Sequence, residues 1–586
     1  MQLTVLDRPR KLRQRFGRVR LSIFSVIVGL AIVGTAILVI FPIVRLLYWL
    51  FAENGLGSNE SLHSIFTDPR LGPALFNTAF VIVVAGLSSL IVGALLAWLN
   101  ERTDVRMGWT ADLLPIIPLL IPPLASAIGW VLLLQDRAGF LNYFIRQDIL
   151  HEHSLLASGP INIESLGGMT AIMALCVVPF PYLVVSAALR NTDPALEEAS
   201  RIFGAGALRT ILRVTFPSIR NALVTASVLL VMTLIAMFSV PIVIGSGARI
   251  DTLSVIIFNE IYGQTPPQLG GAVVLSVFML AVVQVAVLFE YVVLRRGRHA
   301  TTGGRAHVRN VIHLGPARWI IRAVIILYLL IATVAPLIGL ALVSLQGFWN
   351  DAVDWASLSL SNYAQLFSAQ YGFRSALFNS LGLAFAAATV LMIVASLIGF
   401  FIQGAPKMAG RALNGVTVLP ASVPNTVVAV AFLISFGVSD FFGIQLGGTL
   451  MILFLCYIVL FLPVASRAAG SALAQIGRDM WEVSLMSGAS RVRTFGRVIL
   501  PLSWFGLVGG WVVVFAQVLP EVNAGAFLSS STSNPVVGPV ILSLWQQGGN
   551  FTILAALTLL ITLIQAILVL LILRIGHGRR SVLRGA

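Results

Sequence analysis

The stretch EASRIFGAGALRTILRVTFP, residues 198–217, returns 284 positions later as EVSLMSGASRVRTFGRVILP, residues 482–501. The two copies align without a gap. They share Glu198/Glu482, Ser200/Ser484, Gly204/Gly488, Ala205/Ala489, Arg209/Arg493, Thr210/Thr494, Arg213/Arg497, Val214/Val498 and Pro217/Pro501. Unrelated segments of this length would share about one or two residues. Each copy is a charged island in an apolar chain, so each half of the chain needs the same water-facing segment.

Composition fixes the solvent. Of 586 residues, 58% are hydrophobic and 10% are charged, where a soluble domain carries about 25% charged residues. This is a membrane protein with many spans. The net charge of +15 sits in short blocks beside apolar runs, the pattern of the positive-inside rule. No basic patch interleaves with stacking aromatics, which argues against a nucleic-acid partner. Lysine occurs only as Lys11 and Lys407, followed by Leu12 and Met408. A GxxxxGK[ST] phosphate loop is therefore absent, and any nucleotide hydrolysis that drives the protein must occur on another polypeptide. Cys176 and Cys456 are isolated within apolar runs and form no metal or redox pair.

Apolar runs predict twelve spans, near 21–47, 75–99, 110–134, 168–189, 218–245, 271–294, 318–345, 375–403, 413–437, 447–467, 502–522 and 551–574. Prolines break the third and ninth. Basic residues cluster in the N-terminal block 1–20, in the linker 296–316, in the tail 577–586 and in both copies of the repeat. With twelve spans all of these fall on one side, which the charge rule makes cytoplasmic. The expected layout is a first half over 21–295 and a second over 317–576. A second echo supports it: Leu75-Phe76-Asn77-Thr78 opens the second span and Leu377-Phe378-Asn379-Ser380 the eighth. Six spans per half make the repeat parallel, with a pseudo-twofold axis along the membrane normal and a pathway between the halves. The expected fold is all-α.

Each copy reads as a helix-turn-helix bracket. Asp193-Pro194 suits an N-cap followed by a first helical residue, and Glu197 and Glu198 fall where the helix dipole favours anions. Gly204 ends the first helix. A second short helix starts near Gly206 or Ser490. Arg209 and Arg213, like Arg493 and Arg497, are four residues apart and share a face. Arginines that merely hold lipid headgroups would account for one copy, but not for the Glu, Gly and Pro spacing kept in both.

Candidate pathway residues stand beside helix-breaking prolines: Glu521 and Asn523 in the second half, and Ser239, then Asn259 and Glu260, in the first. Water-exposed interfacial positions are the alternative for these five. Glu290 is expected to pair with Arg295 or Arg296. His151-Glu152-His153 lies in the longest outer loop, where it is either solvated or touches a metal or a partner. The three histidines of the linker, His299, His307 and His313, lack ligand spacing.

Glu198-Ala199, Gly204 six residues after the glutamate, and Pro217 thirteen residues further on resemble the EAA loop of binding-protein-dependent ABC importer permeases. Copy two departs mildly, with Val483 and Ser484 where the family prefers alanine. Two such loops in one twelve-span chain resemble the fused permeases of ferric-iron importers, and also those of thiamine importers. Polyamine and phosphonate permeases have similar motifs, usually on separate chains. The resemblance implies a type I ABC importer permease fold in a bacterial inner membrane, with both termini cytoplasmic. It implies two cytoplasmic ATPase subunits, which would bind ATP and Mg, and an extracytoplasmic substrate-binding protein. This chain would hold no cofactor or metal and break no covalent bond. The resemblance also implies that Glu198, Ala199, Gly204, Arg209, Arg213, Pro217, Glu482, Gly488, Arg493, Arg497 and Pro501 couple the ATPases to the spans. An ion-coupled secondary transporter is the competing reading, with the loop 101–108, ERTDVRMG, as an incomplete match to the loop motif of such carriers. An intramembrane enzyme is excluded by the lack of an HExxH or paired-aspartate constellation.

Overall fold

The computed structural model describes residues 23–53, 65–106, 114–151, 159–193, 195–296, 312–350, 352–368, 372–404, 407–438, 445–476, 478–529 and 533–582. The described residues are helical, with no strand and a single isolated bridge, Thr103 to Ile312. The first half contains α1 (Ile23–Tyr48), α2 (Leu71–Arg102), α3 (Pro123–Leu134), α4 (Leu166–Val177), α5 (Pro179–Asn191), α6 (Ala195–Ile202), α7 (Ala207–Thr210), α8 (Arg220–Ala236), α9 (Leu253–Tyr262) and α10 (Leu269–Arg296). The second contains α11 (Ala317–Leu329), α12 (Ala335–Leu345), α13 (Phe373–Gly404), α14 (Asn425–Phe432), α15 (Leu450–Ala474), α16 (Arg478–Met486), α17 (Arg491–Thr494), α18 (Leu500–Val518), α19 (Asn523–Leu528), α20 (Val537–Gln547) and α21 (Phe551–Val582).

The repeat seen in sequence is a repeat in space. Helices α2 and α13 are each 32 residues long and start 302 positions apart. Helices α4 and α15, α7 and α17, and α9 and α20 each start 284 positions apart. Helix α2 shows why such a rod forms. Val83, Leu87, Ile91 and Leu95 recur every four residues and are exposed, a stripe suited to lipid. The opposite face is small, with Ala74, Ala85, Ser89 and Ala94 buried, which lets neighbouring helices approach closely.

Nine helices among the described residues are long and apolar enough to cross a membrane, and three bent pairs raise the number to twelve. The nine match nine of the expected spans. The fifth and ninth expected spans are bent pairs, turning by 75° at Ser218/Arg220 and 98° at Ser422/Asn425. The third expected span differs: a 3-10 turn, Leu114–Leu120, leads into the 12-residue α3. Pro118, Pro122 and Pro123 interrupt the backbone ladder there. The remaining bent pair, Pro241–Ala248 with Leu253–Tyr262 (83°), was not expected as a span.

The halves clasp each other through their first helices. Helix α1 lies on the second half, with Phe41 and Phe436 rings 5.7 Å apart. Helices α11 and α12 lie on the first half. Ile325 and Leu329 join a core with Trp98, Tyr182 and Leu189, and α12 meets α3 so closely that a Cβ on Gly129 would strike the Pro336 carbonyl. The loop after α2 is stitched to the start of the second half. The Leu314 N–H donates to Asp104 at 3.1 Å, and Arg322 donates to the carbonyls of Asp104, Val105 and Arg106. Residues 101–106, which echo a carrier motif in sequence, thus form a structural seam between the halves. Most of the linker and both termini lie outside the described residues, as does His153.

Candidate functional site: two brackets and the axis between the halves

In both brackets the chain turns at glycine. Gly204 and Gly488 each have φ +80°, a conformation that an L side chain resists. Two of the shared residues then tie the bracket together. Ser200 and Thr210 hydroxyls lie 3.1 Å apart, and Ser484 and Thr494 hydroxyls 2.9 Å apart. The same bond thus crosses the same turn twice, with both threonines buried. The Asp193 carboxylate accepts the Ala195 N–H at 2.9 Å at the entrance to α6. Arg209, Arg213, Arg493 and Arg497 are exposed, as are Ala199, Pro217, Pro501 and Glu482, while Glu198 is half-buried. The tips are apolar and bare: Ile202 is 83% exposed, Phe203 89% and Met486 87%.

The brackets are anchored by different chemistry. In the first, the buried carboxylate is Glu197, the residue before Glu198. Its Oε1 accepts from Arg102 Nε at 3.1 Å and from the Thr215 hydroxyl at 3.0 Å. Arg102, at the last position of α2, also donates to the Leu189 carbonyl at 2.9 Å and the Thr192 hydroxyl at 2.8 Å. Its neighbour Glu101 accepts from Arg190 and Ser186. In the second bracket the position of Glu197 is filled by Trp481. The Trp481 ring stacks on Phe400 at 4.3 Å, and Phe400 meets Phe495 edge-on at 4.9 Å. These rings pack with Leu473 and Ile499. The sequence carried a signal for the difference: Arg102 and Glu197 are both charged in one half, while Gly404 and Trp481 are both uncharged in the other.

At the opposite ends of α2 and α13 lies the second echo. Asn77 donates to the Asp251 carbonyl and Asn379 to the Pro535 carbonyl, each at 2.9 Å. The Leu253 N–H donates to the Thr78 hydroxyl and the Val537 N–H to the Ser380 hydroxyl, again at 2.9 Å. Thr78 and Ser380 therefore cap α9 and α20 from a neighbouring helix, satisfying an N–H that a helix start leaves open.

The pseudo-axis passes between Ser239 and Asn523. These residues are 284 positions apart, and the Ser239 hydroxyl donates to Asn523 Oδ1 at 3.4 Å. A cavity of about 320 Å³ opens beside them, lined by residues of both halves that include Met232, Thr233, Pro424 and Asn425. Next to it stands an aromatic cluster: the Phe238, Phe258 and Phe527 rings lie 5.1–5.7 Å apart, and the Tyr262 hydroxyl donates across the interface to the Phe527 carbonyl at 2.6 Å.

The other pathway candidates do not join this pair. The Glu521 carboxylate accepts the N–H groups of Ala524 at 3.0 Å and Gly525 at 3.3 Å, so it caps α19. Asn259 is half-buried. Glu260 faces a separate cavity of about 310 Å³ with Asp68, Arg70, Gln264 and Gln268. There Arg70 lies 3.4 Å from Glu260 and 2.8 Å from Asp68; its hydrogen bonds hold the Asp68 carboxyl below the usual carboxylate range. Glu290, expected to pair with Arg295 or Arg296, accepts the Thr225 hydroxyl at 2.6 Å. Among the described residues no three His, Cys, Asp or Glu side chains gather as metal ligands.

Two parallel helical halves, a bracket on each and a cavity on the axis between them define a duplicated membrane permease. Residues 89–299 and 404–579 both match the model of the binding-protein-dependent transport system inner membrane component, and the chain belongs to that family. It is 23% identical over 547 residues to the ferric transport system permease protein FbpB of Actinobacillus pleuropneumoniae, covering 92% of this chain and 77% of the relative. It is 23% identical over 499 residues to the putative ferric transport system permease protein FbpB 1 of Haemophilus influenzae, covering 84% of this chain and 75% of the relative. The spermidine/putrescine transport system permease protein PotC of Haemophilus influenzae is 29% identical over 37% of this chain and 82% of its own length. A solved bacterial alginate ABC transporter in complex with a pentasaccharide-bound periplasmic protein aligns at 19% identity and TM-score 0.38, over 46% of this chain and 93% of that one.

Proposed function

We propose that this permease moves ferric iron inward, driven by two ATPase subunits that seat on its brackets and supplied by an extracytoplasmic binding protein. The bracket side is then cytoplasmic, together with both termini. The observation that carries the reading is the duplicated bracket, with the same glycine turn and the same serine–threonine bond in each half. A tip with 83–89% exposed apolar side chains suits burial in a partner's groove. Glu198 and Glu482 stand at the docking helices. Arg209, Arg213, Arg493 and Arg497 orient the brackets against the ATPase or against headgroups. ATP and Mg are bound by the partner subunits.

ATPase closure draws the brackets together, and the halves rock about the axis at Ser239 and Asn523. The central cavity then opens to one side or the other. Ferric iron as the cargo is supported by the fused relatives that match most of this chain. A transport channel has to release its cargo, so weak contacts along the axis are in keeping with the role.

Purification in mild detergent tests the partnership. ATPase chains carrying a phosphate loop are expected to co-elute with this protein, and to be lost when Ile202, Phe203 and Met486 are replaced by aspartate. Elution without an ATPase from the unmodified protein would contradict the proposal.

A further inference from the structure

Helices α2 and α13 are each fastened at both ends. At one end Arg102 holds Glu197 of the first bracket at 3.1 Å, and Phe400 stacks on Trp481 of the second at 4.3 Å. At the other end Asn77 and Thr78 hold the start of α9, and Asn379 and Ser380 hold the start of α20. The two attachment points are about 38 Å apart along α2 and about 32 Å along α13, at 1.5 Å per residue. Helix α9 carries Phe258 and Tyr262 into the aromatic cluster beside the axis. Helix α20 lies against the approach to α19, where a Cβ on Gly538 would strike the Glu521 carbonyl. Helix α19 carries Asn523 and Phe527.

We propose that α2 and α13 are paired connecting rods, with Asn77, Thr78, Asn379 and Ser380 as positioning residues that pass bracket movement to the aromatic closure at the far end of the axis. The inference rests on the reading that ATPase subunits seat on the brackets. Its physical basis is the type of contact at each end. A continuous helix is stiff along its length, and a cap plus a carbonyl-directed amide fixes the far element in position and direction. A purely apolar contact there would let α9 and α20 slide as the rods move. The same two bonds are built in both halves on residues 302 positions apart, while the bracket ends use unlike chemistry. The far ends are thus the more alike part of the device.

The test uses the full chain reconstituted with its ATPase subunits and binding protein. Spin labels on exposed Pro267, five residues beyond α9, and Gln547, the last residue of α20, report the far-end distance with and without ATP. In the unmodified complex that distance shifts on ATP binding. In Thr78→Val with Ser380→Ala the shift is lost and uptake falls about tenfold, the scale set by losing one cap per half, while ATP hydrolysis continues. Thr78→Ser with Ser380→Thr keeps a hydroxyl at each position and retains both shift and uptake. If the valine variant fails to insert, Asn379→Ala alone removes one bond from one rod and reduces the shift with hydrolysis unchanged. A normal ATP-driven shift in the hydroxyl-free variant would overturn the rods, as would equal losses in the hydroxyl-retaining pair. Unmodified complex that hydrolyses ATP and takes up solute without a far-end shift would also overturn them. Failure of ATPase subunits to bind at all would instead contradict the bracket reading.

Discussion

At Gly204 and Gly488 the backbone sits at φ +80°, where a side chain costs about 1–2 kcal/mol per residue. Gly204→Asp with Gly488→Asp is expected to leave the protein inserted but to abolish uptake while the ATPases still hydrolyse ATP. Parallel uptake and hydrolysis assays check this, and unchanged uptake would count against the coupling role. Arg102 and Glu197 make a sharper case. Their side chains are only 6% and 7% exposed, and removing one partner leaves the other charge buried, at about 3–5 kcal/mol. Arg102→Met should therefore loosen the first bracket and expose it to limited proteolysis, and Arg102→Met with Glu197→Leu should recover much of the protection. The sequence showed two acids in the first turn of this helix but not which one turns inward. Arg102 lies 95 residues away, and the sequence hinted at the pairing only through the joint loss of both charges at Gly404 and Trp481 in the other half.

Elements were legible in proportion to their regularity. The long apolar helices and both brackets follow from hydrophobic length and from the spacing of Gly, Arg and Pro. Helices α3, α14, α19 and α20 were merged into longer runs or missed. They are 12, 8, 6 and 11 residues long, each shorter than the roughly 20 apolar residues by which a span is recognised. The Asn-Thr and Asn-Ser echo was visible as a repeat, but its task depended on carbonyls 174 and 156 residues away. Glu521 was read as a pathway candidate because it follows Pro520; its carboxylate accepts the Ala524 and Gly525 N–H groups at the start of α19, a bond the sequence did not announce. The second bracket's anchor is an element-scale contact of three rings. Trp481→Ala should cost up to about 3 kcal/mol, the low end for an aromatic truncation because the ring is only half-buried, and it should free the second bracket while the first stays protected. Hydrogen exchange over residues 478–499 and 195–215 separates the two outcomes; equal loss of protection in both would contradict independent anchoring.

The whole molecule is two like halves that meet at like positions. Ser239 and Asn523 face each other because they are the same position in the repeat, and rocking of the halves must separate or shear them. Ser239→Cys with Asn523→Cys is expected to cross-link under oxidation and to stop uptake, with recovery on reduction; uptake that persists in the cross-linked protein would remove this pair from the moving interface. The parallel arrangement was readable from the even number of spans and the two echoes. The exchange of first helices between halves was not, since α1 is almost uniformly apolar and the contact that fixes α11, Arg322 on the carbonyls of Asp104, Val105 and Arg106, joins residues 216–218 positions apart. The central claim is that an external motor drives this chain through its two brackets. Radioactive ferric iron uptake into vesicles containing this protein, with the ATPase subunits and ATP supplied on the bracket side and the loaded binding protein on the other, tests it most directly. The account expects uptake only when all of these are present, and uptake by the permease alone under an ion gradient would contradict it.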